Sequence, residues 1–325
     1  MSYIVTGGCG FIGSNFVNYI CDTTDKPVFV VDKMTYAANE NKIALNHHRS
    51  GQVRVYKCDL ADGCDVLDNI LEHNQVDGIF NFAAESHVDR SIAGPGIFVQ
   101  SNTVGTFNLL EKCRQYDINR YLQVSTDEVY GSLTEESPSF TENICLDPSS
   151  VYSASKASAD MLVNAYHKTY GLNAVITRCC NNYGPRAHPE KLIPTVITQA
   201  LNDQRIPVYG TGSQIREWIH VYDHCTAIKA VFDHGETGHV YNIGSEVELR
   251  NIDLVKRILK LLDKPASLIK FVDDRLGHDF RYAIDSSKFQ SLVEGKNWSL
   301  RYGKQQFNEG LEETIDWYKI LSKKA

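Results

Sequence analysis

The chain has 325 residues, 42% of them hydrophobic and 22% charged, and a formal net charge of -7. At about 150 residues per domain the length suggests two domains, and so ordinary a composition excludes a disordered, collagen-like or coiled-coil chain. The acidic balance, without a Lys/Arg block, argues against nucleic-acid binding but leaves room for an anionic small molecule held by a few placed cations. Nine cysteines are scattered without a C-x-x-C pair. That predicts reduced thiols in a cytoplasmic protein, not a disulfide framework or a thiolate zinc site. The amino terminus does not read as a signal peptide, and no run approaches the roughly 18 apolar residues of a membrane helix.

Short apolar runs alternate with amphipathic stretches. Tyr3 to Thr6 is predicted as a strand and Phe11 to Cys21 as a helix. Strands are predicted at Val28 to Asp32, Val53 to Cys58 and Gly78 to Phe82, then a helix over Phe98 to Tyr116. A strand at Arg120 to Ser125, a long helix at Val151 to Tyr170 and a strand at Ala174 to Arg178 complete the alternation. This pattern predicts an α/β fold, a Rossmann-type doubly wound parallel sheet. After Arg178 prolines and glycines break the rhythm. Helices are expected at Leu192 to Asn202, Val221 to Asp233, Ile252 to Leu262 and Phe307 to Lys319. The division expected is a nucleotide-binding domain over 1–178 and a smaller α/β substrate-binding domain, mainly 179–325. Segments near 218–243 (Trp218 to Val221, Val240 to Ile243) would return to the first sheet.

Gly7, Gly8, Gly10 and Gly13 lie between the first strand and helix, satisfying G-x-x-G-x-x-G and G-x-G-x-x-G. Glycine permits the tight turn and lets backbone approach a pyrophosphate, which meets the free N–H groups of the helix start. Asp32 ends the next strand, where a carboxylate accepts from the adenosine ribose hydroxyls and repels a 2′-phosphate. NAD is therefore favoured over NADP. Asp59 reads equally as a contact to the adenine edge and as a helix cap.

Tyr152-Ser-Ala-Ser-Lys156 sets a phenol and an ammonium one helical turn apart. The ammonium is expected to lower the phenol pKa, so that tyrosinate takes a hydroxyl proton while hydride leaves the carbon. Asp127-Glu128 follows a strand ending in Ser125-Thr126. Adjacent carboxyls can act as base and acid if their surroundings push their pKa values apart. His220 and His224 have the i, i+4 spacing of a metal pair, but no third ligand accompanies them, so capping or packing is expected and no metal.

Taken together, these motifs resemble the extended short-chain dehydrogenase/reductases that work on nucleotide sugars. Further segments resemble the nucleoside-diphosphate-glucose 4,6-dehydratases of that group, of the thymidine type. They are Val31 to Asn39, Ala83 to Ser91, Ser125 to Gly131, Asn181 to Pro185, Pro189 to Pro194, Gln214 to Trp218 and Arg275 to Tyr282. The resemblance implies an NAD tightly bound and recycled each turnover, a nucleoside-diphosphate-glucose substrate, a homodimer and cytoplasmic location. It implies Glu128 as base, Asp127 as acid, and Thr126 beside Tyr152 and Lys156 at the sugar 4-OH. For the cofactor it implies Gly7, Gly10, Phe11, Ile12, Gly13, Asp32, Lys33, Thr35, Asp59, Leu60, Phe82, Ala83, Ala84, Ser101 and Asn182, with Tyr152 and Lys156.

For the substrate it implies Ser86 at the sugar, and Asn181, Lys191 and Arg216 at the diphosphate. Leu192, Pro207, Val208 and Tyr209 would wall the base, with Arg275 and His278 closing over diphosphate and nucleoside. Ser245 and Val247 stand where the group usually has Gly and Asn, and the stretch from Gly131 to Tyr152 is shorter than in many members. The rivals are a uridine-type dehydratase, an epimerase or decarboxylase of the same scaffold, and a catalytically silent NAD-binding regulator. The acid pair counts against the epimerase or decarboxylase, and the intact Tyr152 and Lys156 with the full substrate lining count against the regulator.

Overall fold

A computed structural model describes residues 1–322 of the chain. Its main sheet has seven strands, all parallel. Their spatial order is Val240–Ile243, Ala174–Cys179, Tyr121–Thr126, Val76–Asn81, Ser2–Thr6, Val28–Asp32 and Val53–Lys57. The order reverses at Ser2–Thr6, which puts the glycine turn at the switch point where such sheets open a ligand crevice.

Strand periodicity explains why both sheet faces are covered. Tyr3 and Val5, with Val28 and Val30, enter one core; Ile4, with Phe29 and Val31, enters the other. Successive side chains point to opposite faces, so a fully apolar strand must be roofed on both. Phe11–Thr23 and Val221–His234 cover the first face, and Gly105–Gln115 and Val151–Tyr170 the second. The 20-residue helix Val151–Tyr170 starts in a capping box of Ser150 and Ser153 and ends at Gly171, φ 71°.

A third core holds Ile193, Val196 and Ile197 against Leu254, Val255 and Ile258, roofed by Phe307, Leu311 and Ile315. Ile193, Val196 and Ile197 have the i, i+3, i+4 spacing of a buried helix stripe, and Phe307, Leu311 and Ile315 recur every four residues along theirs. Beside it lie a three-stranded sheet (Glu248–Arg250, Ile215–His220, Asn181–Tyr183) and the parallel pair Ile206–Tyr209 with Ile269–Val272.

Several expectations are corrected. Val240–Ile243 does return to the main sheet, but the segment around Trp218 does not. It belongs to Ile215–His220, whose partners are Asn181–Tyr183 and Glu248–Arg250. The helix expected from Phe98 to Tyr116 contains a π-helical stretch, Val99–Val104. There Asn102 exchanges hydrogen bonds with the Glu85 backbone (2.8 and 3.0 Å) and donates to Ser155 Oγ (2.9 Å). The helix Asp65–His73 escaped the sequence reading, although Leu67, Ile70 and Leu71 mark its buried face. Cys58 and Cys64, scattered in the sequence reading, stand side by side. A 3-10 turn at Leu60–Asp62 and left-handed Gly63 reverse the chain and bring the Cα atoms to 6.1 Å.

Candidate active site

One pocket runs along the carboxyl ends of the strands. Gly7, Gly10, Phe11, Ile12 and Gly13 line its floor, followed by Asp32, Lys33, Thr35, Asp59 and Leu60. Phe82, Ala83, Ala84, Ser86, Ser101, Thr126, Asp127, Glu128, Tyr152, Lys156, Asn181, Asn182 and Lys191 complete the lining anticipated from sequence.

The glycine turn fits a dinucleotide. Gly7 has φ 64°, and a Cβ there would lie 2.6 Å from the Ala83 nitrogen. One on Gly13 would overlap the Gly7 carbonyl, whereas one on Gly10 meets only that oxygen, at 3.2 Å. Helix Phe11–Thr23 carries no side-chain cap and no acid in its first turn, leaving its amides for an anion. Asp32 accepts from Cys9 N (2.9 Å) and Met34 N (2.8 Å). Burial raises its carboxyl pKa and those two amides hold it back. Asp59 caps the 3-10 turn by accepting from Ala61 N (3.0 Å) and pairs with Lys33, so the cap reading holds at a residue that also lines the pocket. The Ser101 hydroxyl and Asn181 Oδ1 are buried without a protein partner, as polar groups awaiting a ligand are.

The acid pair sits in unlike surroundings. Thr126 ends its strand and caps the turn Asp127–Tyr130, its hydroxyl receiving Glu128 N at 3.3 Å. Burial pushes the Asp127 carboxyl well above the usual range, and the charges of Glu128 and Glu217 add to that. Its Oδ2 is buried without a partner. Glu128 is also raised by burial, but Arg275, Lys191 and Arg216 all pull it back down. Asp127 is thus the better proton donor and Glu128 the better base.

Tyr152 corrects a sequence expectation. Its phenol is raised well above the ordinary value by burial, then by Glu128. Lys156 does not act on it as anticipated: its ammonium, itself lowered by burial, donates to the Val124 carbonyl at 2.7 Å.

The remaining substrate residues lie outside this lining. Arg216 is buried; it donates to the carbonyls of Ile215 (2.7 Å) and Asp279 (2.9 Å) and stacks on Tyr282. Tyr209 Oη donates to Asp89 (3.0 Å), whose carboxylate lies 3.6 Å from Arg275, while His278 Nδ1 meets Asp274 at 2.6 Å. Leu192 opens its helix, and on the strand Ile206–Tyr209 Pro207 and Tyr209 face outward while Val208 faces the third core. The side chain of Val208 therefore does not join the wall expected of it. Val247 is buried beside Trp218 in that same core, and the Ser245 hydroxyl donates to the Trp218 carbonyl (2.5 Å). His220 accepts from Tyr222 N at 3.2 Å, and His224 Nδ1 meets Asn182 Oδ1 at 2.8 Å, so both do capping and packing work.

The sequence reading missed Glu85, His188 and Glu190, which line the pocket. It also missed Asn251, whose Oδ1 is buried without a partner at the start of Asn251–Leu261. Glu85 and Glu190 stood inside quoted motifs, Ala83 to Ser91 and Pro189 to Pro194; His188 and Asn251 carried no local signal.

A family model described as GDP-mannose 4,6 dehydratase matches residues 4–314. The chain is 47% identical to the low-salt glycan biosynthesis protein Agl12 of Haloferax volcanii, covering 98% of both chains. It is equally 47% identical to a dTDP-glucose 4,6-dehydratase of Xanthomonas campestris, covering 98% of this chain and 93% of that one. Among solved structures, dTDP-glucose 4,6-dehydratase DesIV of Streptomyces venezuelae, with NAD and dTDP bound, superposes with a TM-score of 0.91. It is 42% identical, with 98% of this chain and 97% of DesIV covered. A match spanning nearly every element of both halves places the chain in the GDP-mannose 4,6-dehydratase family.

Proposed function

We propose that the chain is a dTDP-glucose 4,6-dehydratase with NAD as cofactor, converting dTDP-glucose to dTDP-4-keto-6-deoxyglucose and water. The relatives support the substrate. The observation that carries the reaction is the acid pair Asp127-Glu128, held in opposed fields beside Tyr152. An epimerase has no step needing both an acid and a base at C5–C6.

NAD supplies the hydride acceptor for sugar C4, the donor that returns hydride to C6, and a positively charged ring that favours tyrosinate. Gly7, Gly10, Gly13, Asp32 and the start of helix Phe11–Thr23 would hold it. Tyr152 takes the proton of the 4-OH, with Thr126 beside that oxygen. Once C4 is a ketone the C5–H is acidic; Glu128 removes that proton and gives one back to C5 as hydride returns to C6. Asp127, kept protonated by burial and by Glu128, gives its proton to the departing C6 hydroxyl. Asn181, Lys191, Arg216 and Arg275 would meet the diphosphate, leaving Pro207, Tyr209, Leu192 and His278 for the nucleoside.

The test is incubation with dTDP-glucose and, in parallel, UDP-glucose, followed by mass analysis. Loss of one water with dTDP-glucose preferred supports the assignment; a sugar of unchanged mass overturns it.

We also propose a nucleotide-binding domain over 1–178, completed by the returning helix Val221–His234 and strand Val240–Ile243, and a smaller domain mainly within 179–325, supported by the separate third core. A homodimer fits the exposed Phe107, Met161 and Tyr170 on the helices of the second sheet face, with Val99 just before the first of them. Among the described residues no helix is long and apolar enough to cross a membrane, and the cytoplasmic location is proposed from the family resemblance.

A further inference from the structure

One carboxylate gathers three segments over the pocket. Glu190 Oε1 accepts from Tyr36 Oη at 2.8 Å. Its carboxylate also lies 3.7 Å from Arg90 Nε, 3.8 Å from His87 Nε2 and 3.5 Å from His188 Nδ1. The Arg90 guanidinium sits 3.5 Å over the Tyr36 ring, and His188 meets that ring edge-on. Tyr36 comes from the loop after Asp32, His87 and Arg90 from the segment after Phe82, and Glu190 from the substrate side. The next residue, Lys191, donates to the Ser86 carbonyl at 3.0 Å.

The root of the crossing segment is pinned as well. Arg186, in a left-handed conformation (φ 71°), donates to the Lys42 carbonyl and to Asn15 Oδ1, both at 2.9 Å. The strap from 186 to 191 is therefore fixed at one end and latched at the other by Glu190. Thr35, Ala37, Ala38, Ser86 and Lys191, around the latch, all line the pocket.

We propose that Glu190 is a positioning residue: it latches the strap carrying Lys191 across the mouth of the pocket, and so sets how fast the dinucleotide enters and leaves. The proposal rests on the NAD reading. The latch explains how a cofactor needed unchanged in every turnover is kept in place. A latch differs from a binding contact in its kinetics. Losing a contact raises the dissociation rate with little change in association, whereas opening a latch raises both.

The experiment mixes NADH with the full chain freed of nucleotide and follows nicotinamide fluorescence by stopped flow, for wild type, Glu190→Ala and Tyr36→Phe. In Glu190→Ala both rate constants are expected to rise about tenfold, so that Kd moves by less than about threefold. Tyr36→Phe, which loses only the hydroxyl, should lie between. A higher dissociation rate with unchanged association, or no change in either, overturns the latch. If Glu190→Ala does not fold, Tyr36→Phe decides alone by the same criterion. Failure of wild type to bind NADH would instead overturn the NAD reading.

Discussion

Asp127 and Glu128 are adjacent in the chain, yet acidic neighbours dominate around the first carboxyl and basic ones around the second. Asp127 looks toward Glu217 and Glu128 itself, with its Oγ1 neighbour Thr126 at 3.3 Å. Glu128 looks toward Arg275, Lys191 and Arg216. The turn Asp127–Tyr130 makes this possible, because its tight winding splays successive side chains. Burial raises both groups, Asp127 being the more deeply buried, and their charged neighbours separate them further.

A pH dependence follows. Glu128 works as a carboxylate and its pKa is raised, so kcat is lost as pH falls through that raised value. Asp127 works protonated and is raised further, so kcat is lost as pH rises through its own value. Arg275→Met removes the largest charge pulling Glu128 down. The acidic limb of the kcat profile at saturating substrate should then move to higher pH, the basic limb less. An acidic limb that stays in place removes Arg275 from the field of Glu128.

The two carboxyls should also fail separately. Glu128→Gln is expected to oxidise C4, seen as reduced-nicotinamide absorbance on mixing with dTDP-glucose, yet to exchange no C5 hydrogen with D₂O and form little product. Asp127→Asn should retain some C5 exchange while loss of the C6 hydroxyl slows. Normal exchange in the first variant with none in the second would swap the roles.

Much of this was legible in the sequence because it depends on local pattern. Val28–Asp32 reads as a strand from its own residues, and the glycine turn and the spacing of Tyr152 and Lys156 need no tertiary knowledge. What escaped depends on where distant segments meet. Glu190 matters because Tyr36 and Arg90 fold onto it from a hundred residues or more away. The sign of the Tyr152 shift was misread because helical spacing reports Lys156 but not burial, which is the larger influence. The meeting of Cys58 and Cys64 escaped because the turn between them has no hallmark beyond Gly63.

Asp32 offers a cofactor test. Its carboxylate takes two backbone amides from the glycine turn and the following loop, and faces the pocket. Asp32→Ala loses hydrogen bonds to a charged group, so NAD affinity should fall about 10- to 100-fold and preference over NADP should relax. Calorimetric titration of both nucleotides measures this; unaltered NAD affinity would place the ribose elsewhere.

Tyr152→Phe keeps the ring packed against Phe98 but removes the proton acceptor. The transfer is made only on the way to the transition state, so the loss should fall on kcat, by about 10²- to 10⁴-fold, with substrate Kd little changed. A variant within about threefold of wild type would relocate the base.

The last expectation concerns stability. Two turns below Tyr152 on the same helix, Asp160 accepts from Arg178 Nε at 2.9 Å, both side chains buried, with the guanidinium 4.8 Å from the Tyr130 ring centre. Removing one member of a buried pair leaves the other charge without a partner, which costs about 3–5 kcal/mol, whereas replacing both by apolar groups costs far less. Asp160→Asn should therefore lower the unfolding free energy by that amount in urea, and Asp160→Leu with Arg178→Met should recover most of it. Equal losses in the single and double variants would show that the ion pair itself, and not the stranded guanidinium, carries the stability.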